Sequence, residues 1–144
     1  IISKSKLGFR LIALKILDGC EKDVSGVLSD KLFLFDNCFT INEKEIKYQP
    51  EKDLSLYSIN KEKYNELEVN VSALVGKNGS GKSTLTEIIF SILNNVAFKF
   101  KSNLRKKDLV FREGVSAEIY WTSSEKLYCL RIINDSIKIK EFAL

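Results

Sequence analysis

Hydrophobic and polar residues alternate in short segments at both ends of the chain, and this pattern predicts strands. Residues 10–17 and 31–41 are rich in branched and aromatic apolar residues and are bounded by Asp, Gly and Ser, which indicates first strands separated by turn material. Residues 42–68 are polar and contain the only proline, so we expect an irregular insertion with one short strand near residues 54–59. Three alternating segments near the other end predict an antiparallel meander over residues 116–122, 127–133 and 136–142.

The middle of the chain has a different period. Residues 69–75 are mostly apolar and are followed at once by glycine, which indicates a buried strand. Downstream of Lys82, apolar residues recur at steps of three and four and form one stripe, Leu85, Ile88, Ile89, Ile92, Leu93 and Val96. This spacing predicts a helix that ends near Asn94 and Asn95, so that strand, loop and helix occupy residues 69–97. A basic connector follows over residues 98–115.

Composition bounds the class of protein without assigning a function. The 144 residues are 44% hydrophobic and 29% charged, which is typical of one packed domain. The formal net charge of +4 is too small an excess to indicate a polyanionic partner by itself. Cys20, Cys38 and Cys129 are odd in number and lack C-x-x-C spacing, so we expect buried or idle thiols in a reducing compartment. No apolar run approaches the roughly 18 residues of a membrane-spanning helix, and we expect a cytoplasmic protein with no membrane partner.

The loop from Gly76 to Thr84 carries the strongest chemical signal in the chain. Its first eight residues fit the pattern G-x-x-x-x-G-K-[ST], namely Gly76, Lys77, Asn78, Gly79, Ser80, Gly81, Lys82 and Ser83. The loop lies between a predicted strand and a predicted helix, which is the context that gives this pattern its meaning. Glycines let the backbone wrap around phosphates with its N–H groups pointing inward, in conformations that a Cβ would penalise.

The polar side chains of this loop have expected roles. Lys82 supplies a mobile positive charge for the β and γ phosphates and is the expected catalytic residue. Ser83 is the expected hydroxyl ligand of Mg²⁺, and Thr84 is expected to contact the α phosphate. The free N–H groups at the start of the following helix, with its dipole, favour negative charge. The loop therefore predicts binding of a purine nucleoside triphosphate, ATP with Mg²⁺; the alternative is a glycine-rich turn without a nucleotide.

The segment ALVGKNGSGKSTLTEII, residues 73–89, resembles the Walker A segment of ATP-binding-cassette (ABC) type ATPases. Asn78-Gly79 inside the loop and Ser83-Thr84-Leu85 after it are similar to the G-x-N-G-x-G-K-S-T-L form of that class. The opening strand and the absence of transporter-like features are more similar to the RecF-like and SMC-like branch. That branch includes ATPases of DNA repair and of anti-phage defence systems such as the Septu-like and retron-associated ones. The specific part of the resemblance is Gly76 to Leu85.

The resemblance implies an α/β fold, a P-loop ATPase lobe with a mixed sheet around the Walker A loop and helix and with an antiparallel β subdomain. It also implies ATP hydrolysis by two heads that sandwich two nucleotides, with DNA or a nuclease as a further partner. The chain departs from the pattern, because no hydrophobic run ending in Asp-Glu, no LSGGQ-like signature and no histidine follows the loop. We therefore expect residues 1–144 to be the N-terminal part of one incomplete ATPase domain, which alone hydrolyses ATP barely or not at all.

Other functions remain open at this stage. ATP could instead hold an assembly together without turnover, which would make the chain a nucleotide-gated regulatory module. A GTPase is a weaker alternative, because Asn60-Lys61-Glu62-Lys63 has Lys63 in place of the aspartate of N-K-x-D and precedes the loop. A small-molecule kinase is a further alternative.

Two residues outside the loop are candidate nucleotide contacts, and a basic segment is a candidate nucleic-acid patch. Tyr57 lies 25 residues before Lys82, a spacing at which ABC ATPases place an aromatic that stacks on adenine; the alternative is an ordinary half-buried tyrosine. Lys22 is near the place where SMC-like heads carry a basic residue close to the phosphates; the alternative is a solvated turn lysine. The patch that would track a nucleic-acid backbone, unless it is a solvated connector, is Lys99, Lys101, Arg105, Lys106 and Lys107.

Three further features invite a functional interpretation that we do not favour. Asp36 ends an apolar run as in a Walker B strand, but it precedes the loop and Asn37 follows it, so a plain strand end is the better interpretation. Residues 24–27 resemble part of a signature motif but lack its second glycine, which favours a turn. Trp121 lies within the strand alternation, which favours core packing over base stacking.

Overall fold

The computed structural model describes residues 8–42, 45–52, 58–59, 67–68, 73–75, 77, 79, 81–100 and 109–143. The strands in these ranges are β1 (Arg10–Ile16), β2 (Leu32–Leu34), β3 (Phe39–Ile41), β4 (Ile46–Tyr48), β5 (Ser58–Ile59), β6 (Leu67–Glu68), β7 (Ser116–Ser123), β8 (Lys126–Ile133) and β9 (Ser136–Ala143). The helices are α1 (Lys22–Ser25) and α2 (Lys82–Phe100), with 3₁₀ turns at Gly26–Leu28 and Pro50–Lys52.

A five-stranded antiparallel sheet organises the chain, with the strand order β2-β1-β7-β8-β9. Strands β7, β8 and β9 are the predicted meander, which is confirmed. Ser124 and Glu125 join β7 to β8 and both have positive φ, 51° and 67°. Positive φ at both turn residues gives a two-residue hairpin whose twist matches that of its strands. The remaining strands form two separate antiparallel pairs, β3 with β4 and β5 with β6.

The expectation of an α/β fold with a mixed sheet around the Walker A loop is wrong. Every strand pair among the described residues is antiparallel. Residues 73–75, immediately before the loop, belong to no strand, and residues 69–72 of the predicted buried strand lie outside the described residues. The physical reason is the direction of the chain after α2: it returns as β7, which runs antiparallel to β1. A parallel pair would need a crossover that brings the second strand back in the same direction.

Helix α2 is longer than its sequence predicted, because it continues past Asn94 and Asn95 to Phe100. Asn95 is fully buried, and its side-chain amide donates to the carbonyl of Arg112 at 2.8 Å while its Oδ1 accepts the Arg112 N–H at 2.8 Å. Asn94 donates to the carbonyl of Val110 at 2.8 Å. Asparagine ends helices by bonding to its own nearby backbone, and here both amides bond to the segment that returns from the helix instead.

The first part of the chain also differs from its prediction in detail. The strand at residues 10–17 is confirmed as β1, whereas the turn material after it contains α1 and a 3₁₀ turn. The predicted strand at 31–41 is split into β2 and β3. The split occurs at Asp36, whose Oδ1 accepts the N–H of Cys38 at 2.9 Å, because this local bond turns the backbone out of the ladder. Within the insertion, β5 falls in the predicted 54–59 segment, and residues 53–57 lie outside the described residues.

The two faces of the central sheet are covered by different elements. On the helix-side face, Leu85, Ile88 and Ile92 of α2 are buried against sheet residues, among them Leu14, Ile16, Ala117, Ile119, Leu130 and Ile132. On the hairpin-side face, Phe39 of β3 is buried with Ile12, Ala13, Tyr120, Leu127 and Cys129. Full burial of one such aliphatic or aromatic side chain contributes about 1.5–3 kcal/mol, so α2 is held firmly on the sheet and fixes the loop before it.

Candidate nucleotide-binding site

Two glycines turn the backbone into the start of α2. Gly79 has φ of +78° and Gly81 has φ of +92°, a region that side chains other than glycine adopt at a cost. The helix begins at Lys82, and the Leu85 N–H donates to the carbonyl of Gly81 at 2.9 Å, which is the first helical hydrogen bond. The N–H groups before Leu85 have no partner inside the helix by geometry, so they are directed toward the loop.

Gly81 is required by its surroundings as well as by its backbone. A Cβ at this position would lie 2.5 Å from Cδ2 and 2.8 Å from Cγ of Leu28, which is far inside van der Waals contact. Leu28 itself is buried, with 3% exposure, and ends the 3₁₀ turn that follows α1. By contrast, a Cβ at Gly79 would meet no heavy atom within 4 Å, so only its φ requires glycine there.

The side chain of Lys82 folds back over the loop. Its Nζ donates to the carbonyl of Lys77 at 2.8 Å, although the two residues are five positions apart in the chain. An ammonium held there lies across the loop. The charge that we expect to meet the β and γ phosphates is therefore next to the loop backbone.

A depression of about 310 Å³ opens at the start of α2. The described residues that line it are Gly26, Val27, Gly79, Gly81, Lys82, Ser83 and Thr84. This volume is at the small end for ligand sites and suits a phosphate chain better than a whole nucleotide. The helix N-terminus and the lysine make the depression favourable for an anion.

The turn after α1 forms the opposite wall of the depression. Gly26 has φ of +54°, and a Cβ there would lie 3.7 Å from Cγ2 of Thr84, an ordinary contact distance. Val27 is 62% exposed at the rim. Sequence reasoning did not place either residue at the site, because the likeness of residues 24–27 to part of a signature motif was set aside in favour of a turn. The closeness of Gly26 to Thr84 depends on the packing of Leu28 against the loop.

The structure brings together part of the predicted loop. Lys77, Gly79, Gly81, Lys82, Ser83 and Thr84 are described, and the last five line the depression. Gly76, Asn78 and Ser80 lie outside the described residues, as does the candidate stacking residue Tyr57. Lys22 opens α1 with an exposed side chain and is not among the described residues that line the depression.

Lys99, the described residue of the predicted basic patch, is far from the loop. Lys99 lies in the last turn of α2 and is exposed, and its Nζ donates to the carbonyl of Asp135. Seventeen helical steps of about 1.5 Å each place it roughly 25 Å from Lys82. Lys101, Arg105, Lys106 and Lys107 lie outside the described residues.

The contacts of Asp36 are those of a structural residue, as expected if it marks a plain strand end. It is buried with 3% exposure, and its Oδ2 faces Nη1 of Arg10 at 3.5 Å. Its other oxygen accepts the N–H of Cys38. The carboxylate is therefore engaged by β1 and by its own turn and is not directed at the loop.

The remaining sequence candidates belong to, or pack against, the cores on the two faces of the central sheet. The three cysteines are free and buried, as expected. Burial raises the pKa of the Cys129 thiol to about 11, which keeps it protonated and unreactive near neutral pH. Trp121 is partly buried and stacks on Tyr128, with ring centroids 5.4 Å apart, so packing is its observed role.

A larger depression of about 430 Å³ lies on the outer side of α2. Phe90, Val110 and Phe111 line it together with Ser91, Asn94 and Arg112, and most of its surface is apolar. Such a surface does not suit a triphosphate, and we assign the nucleotide to the smaller depression.

Clusters of metal-binding side chains and membrane-spanning helices are both absent from the described residues. Within the ranges given above, no group of three or more His, Cys, Asp or Glu residues is arranged to hold a metal ion. Among the helices of the described part of the chain, none has the length and apolar character needed to cross a bilayer.

Comparison with known proteins found no matching family model, no matching curated protein and no matching solved structure.

Proposed function

We propose that this chain binds the triphosphate of ATP together with Mg²⁺ through the loop from Gly76 to Thr84. One observation carries the proposal: α2 begins at Lys82 directly after two glycines with left-handed φ, while the Lys82 ammonium folds back across the loop to Lys77. Glycine backbone, lysine charge and helix N-terminus all face one depression. Their agreement with the sequence pattern supports phosphate as the ligand.

The residues have distinct roles in this proposal. The Lys82 ammonium leaves the Lys77 carbonyl and contacts the β and γ phosphates. The N–H groups at the start of α2 hold the phosphate oxygens, and Ser83 and Thr84 present hydroxyls beside them. When bound, Mg²⁺ would neutralise phosphate charge, with the Ser83 hydroxyl as its protein ligand. Phosphoryl transfer depends mainly on this kind of positioning and charge neutralisation.

The wider function follows from the resemblance of residues 73–89 to the ABC-type Walker A segment. We propose a cytoplasmic ATPase of the RecF-like and SMC-like group, in which two heads hydrolyse ATP and drive DNA- or nuclease-associated work in repair or anti-phage defence. The proposal depends on the loop and the start of α2. It does not require the mixed sheet that the described residues contradict.

A second candidate is a nucleotide-gated module that holds ATP without turnover. Asp36 supplies no base for turnover, because its carboxylate faces Arg10 and accepts the Cys38 N–H. In the ATPase proposal, the base for the attacking water comes from another segment or from the second head. Turnover by a longer form or by a reconstituted pair of heads would decide between the two candidates.

Calorimetric titration with ATP and with GTP, each with and without Mg²⁺, tests the site. We expect Mg²⁺-dependent binding that prefers ATP and that is lost in Lys82→Ala. The matched control is Lys99→Ala, which removes the same charge at the far end of the same helix and should bind as the wild type does. Equal affinity of Lys82→Ala and wild type would refute the assignment of the loop.

A further inference from the structure

A row of charged residues crosses the hairpin-side face of the central sheet. The strand register places Lys15 opposite Glu118, Glu118 opposite Arg131, and Arg131 opposite Lys138. Directly opposed residues project from the same face of a sheet. Four neighbouring strands, β1, β7, β8 and β9, therefore contribute one charged side chain each to a single row. Lys140, two residues after Lys138, lies on the same face.

The charge of this row is strongly positive. Glu118 is its single carboxylate, and its side chain is only 15% exposed. That carboxylate faces Nε of Arg131 at 3.2 Å and accepts the Tyr120 hydroxyl at 2.7 Å, so its charge is already balanced. We name the four cations of this surface the basic row: Lys15, Arg131, Lys138 and Lys140. Four cations against one carboxylate leave an excess of three positive charges on one sheet face.

The basic row is accessible and rigidly spaced. Arg131, Lys138 and Lys140 are exposed, and Lys15 is partly so. Neighbouring strands lie about 4.8 Å apart and residues two positions apart on one strand about 7 Å apart, so the row spans roughly 14 Å from β1 to β9. Lys140 lies with its Nζ 4.8 Å from the centre of the Phe142 ring, which restrains it further. The backbone thus holds the positions of the cations before any ligand arrives.

A DNA duplex fits this arrangement better than other anionic partners do. Duplex DNA carries one negative charge per about 1.7 Å of its axis, so a rigid row of roughly 14 Å meets several phosphates at once. Surface binding to a membrane needs an apolar face that inserts into lipid. The exposed apolar side chains of this face, Leu32 and Leu34 on β2 and Ile133 on β8, lie at the edge strand and at the end of β8, beside the cations and not among them. An acidic peptide has no fixed charge spacing to match a rigid sheet.

We propose that the basic row binds the phosphate backbone of duplex DNA without reading the bases. Its role in ATP-driven work on DNA rests on the proposed function, whereas the binding itself requires no nucleotide. The surface is distinct from the predicted patch that includes Lys99, because Lys99 belongs to α2, which packs on the opposite face of the sheet. Sequence reasoning missed it, because its four cations come from three strands that only the register brings together.

Fluorescence anisotropy with a labelled DNA duplex, measured without nucleotide, tests the proposal. If three phosphates are neutralised, a fourfold rise in salt should lower affinity by about 40-fold. The double variant Lys138→Gln/Lys140→Gln should bind more weakly, with a salt slope that is shallower by about two. The matched control, Lys52→Gln/Lys126→Gln, removes two exposed cations that belong to no candidate site and should keep the wild-type slope. Circular dichroism confirms that both variants are folded.

Three results would overturn the proposal. One is wild-type binding by the Lys138→Gln/Lys140→Gln variant together with loss of binding when Lys101, Arg105, Lys106 and Lys107 are changed to Gln. The others are tighter binding, at the same salt, to polyglutamate or to vesicles of anionic phospholipid. The Lys82→Ala variant separates DNA binding by the basic row from ATP binding by the loop, because it should no longer bind ATP but should still bind the DNA duplex.

Discussion

Leu28 lies against Gly81 so closely that a Cβ on Gly81 would be 2.5 Å from its Cδ2. The contact joins the turn after α1 to the loop before α2, although the two residues are far apart in the chain. Two features therefore require glycine at position 81, because the residue also has a φ of +92°. The shape of the candidate phosphate site therefore depends on a buried leucine that no phosphate-binding motif contains.

This contact predicts different effects of alanine at the two glycines of the loop. At Gly79 only the positive φ opposes a side chain, which costs about 1 kcal/mol and should weaken ATP binding about fivefold. At Gly81 the clash with Leu28 adds to that cost, so the loss should exceed tenfold. Calorimetric titration of both variants measures the difference.

Comparing Gly79→Ala with Gly81→Ala in a Leu28→Ala background isolates the steric contribution to the loss of ATP affinity. Removing the leucine side chain should bring the effects of Gly81→Ala and Gly79→Ala closer together, because only the backbone cost then remains at both sites. An unchanged difference in that background would show that Leu28 does not shape the loop. Thermal unfolding of each variant separates loss of binding from loss of the fold.

Asn95 should contribute strongly to the stability of the fold. It is fully buried in α2 and makes two 2.8 Å hydrogen bonds to the backbone of Arg112. Asn95→Ala leaves those backbone groups without their partner, and we expect a loss of about 1–3 kcal/mol in the free energy of unfolding. Urea unfolding measures it. Asn94→Ala is the control: Asn94 is less buried, and its loss should be clearly smaller.

The elements that the sequence predicted correctly are those set by local patterns. The meander follows from alternation and from two-residue turns such as Ser124-Glu125, and α2 follows from its apolar period. The mixed sheet was wrong because strand direction depends on pairing between distant segments. Strand β1 pairs antiparallel with β7, more than 100 residues later, and no local pattern encodes that direction.

The same distinction between local patterns and long-range contacts applies to the candidate site. The glycine spacing and Lys82 are read from consecutive residues, and the structure brings the described ones together. Gly26 and Val27 of the opposite wall come next to the loop only through tertiary packing. The cations of the basic row likewise come together only through strand pairing. Helix length was underestimated for a related reason, because the partner of Asn95 is 17 residues away.

Asp36 should matter for stability and not for nucleotide chemistry. It faces Arg10, and both side chains are buried, at 2% and 6% exposure. Asp36→Ala removes the carboxylate from a buried arginine, and breaking such a pair costs about 3 kcal/mol. Urea unfolding should show this loss, whereas the ATP affinity of the folded variant should equal that of wild type. Reduced affinity in a variant that remains fully folded would instead place Asp36 at the nucleotide.

The ionisation of Cys129 should make the fold less stable at high pH. Burial raises the pKa of this thiol from the ordinary 9.0 to about 11, and the hydroxyl of Tyr120, whose own pKa burial also raises, lies beside it. Because the folded pKa is above the unfolded one, the stabilisation is complete below pH 9 and is lost as pH rises through about 11. With about 1.4 kcal/mol for each of the two pKa units, the full loss is on the order of 3 kcal/mol.

Urea unfolding of wild type and Cys129→Ala across this pH range isolates the thiol from the lysines and tyrosines that ionise with it. The variant lacks the buried thiol, so it should be less stable at neutral pH but should lose less stability on the way to pH 11. The difference between the two proteins should therefore shrink as pH rises. A constant difference would mean that Cys129 ionises equally readily in the folded and unfolded chains, and the burial of the thiol would then have no electrostatic consequence.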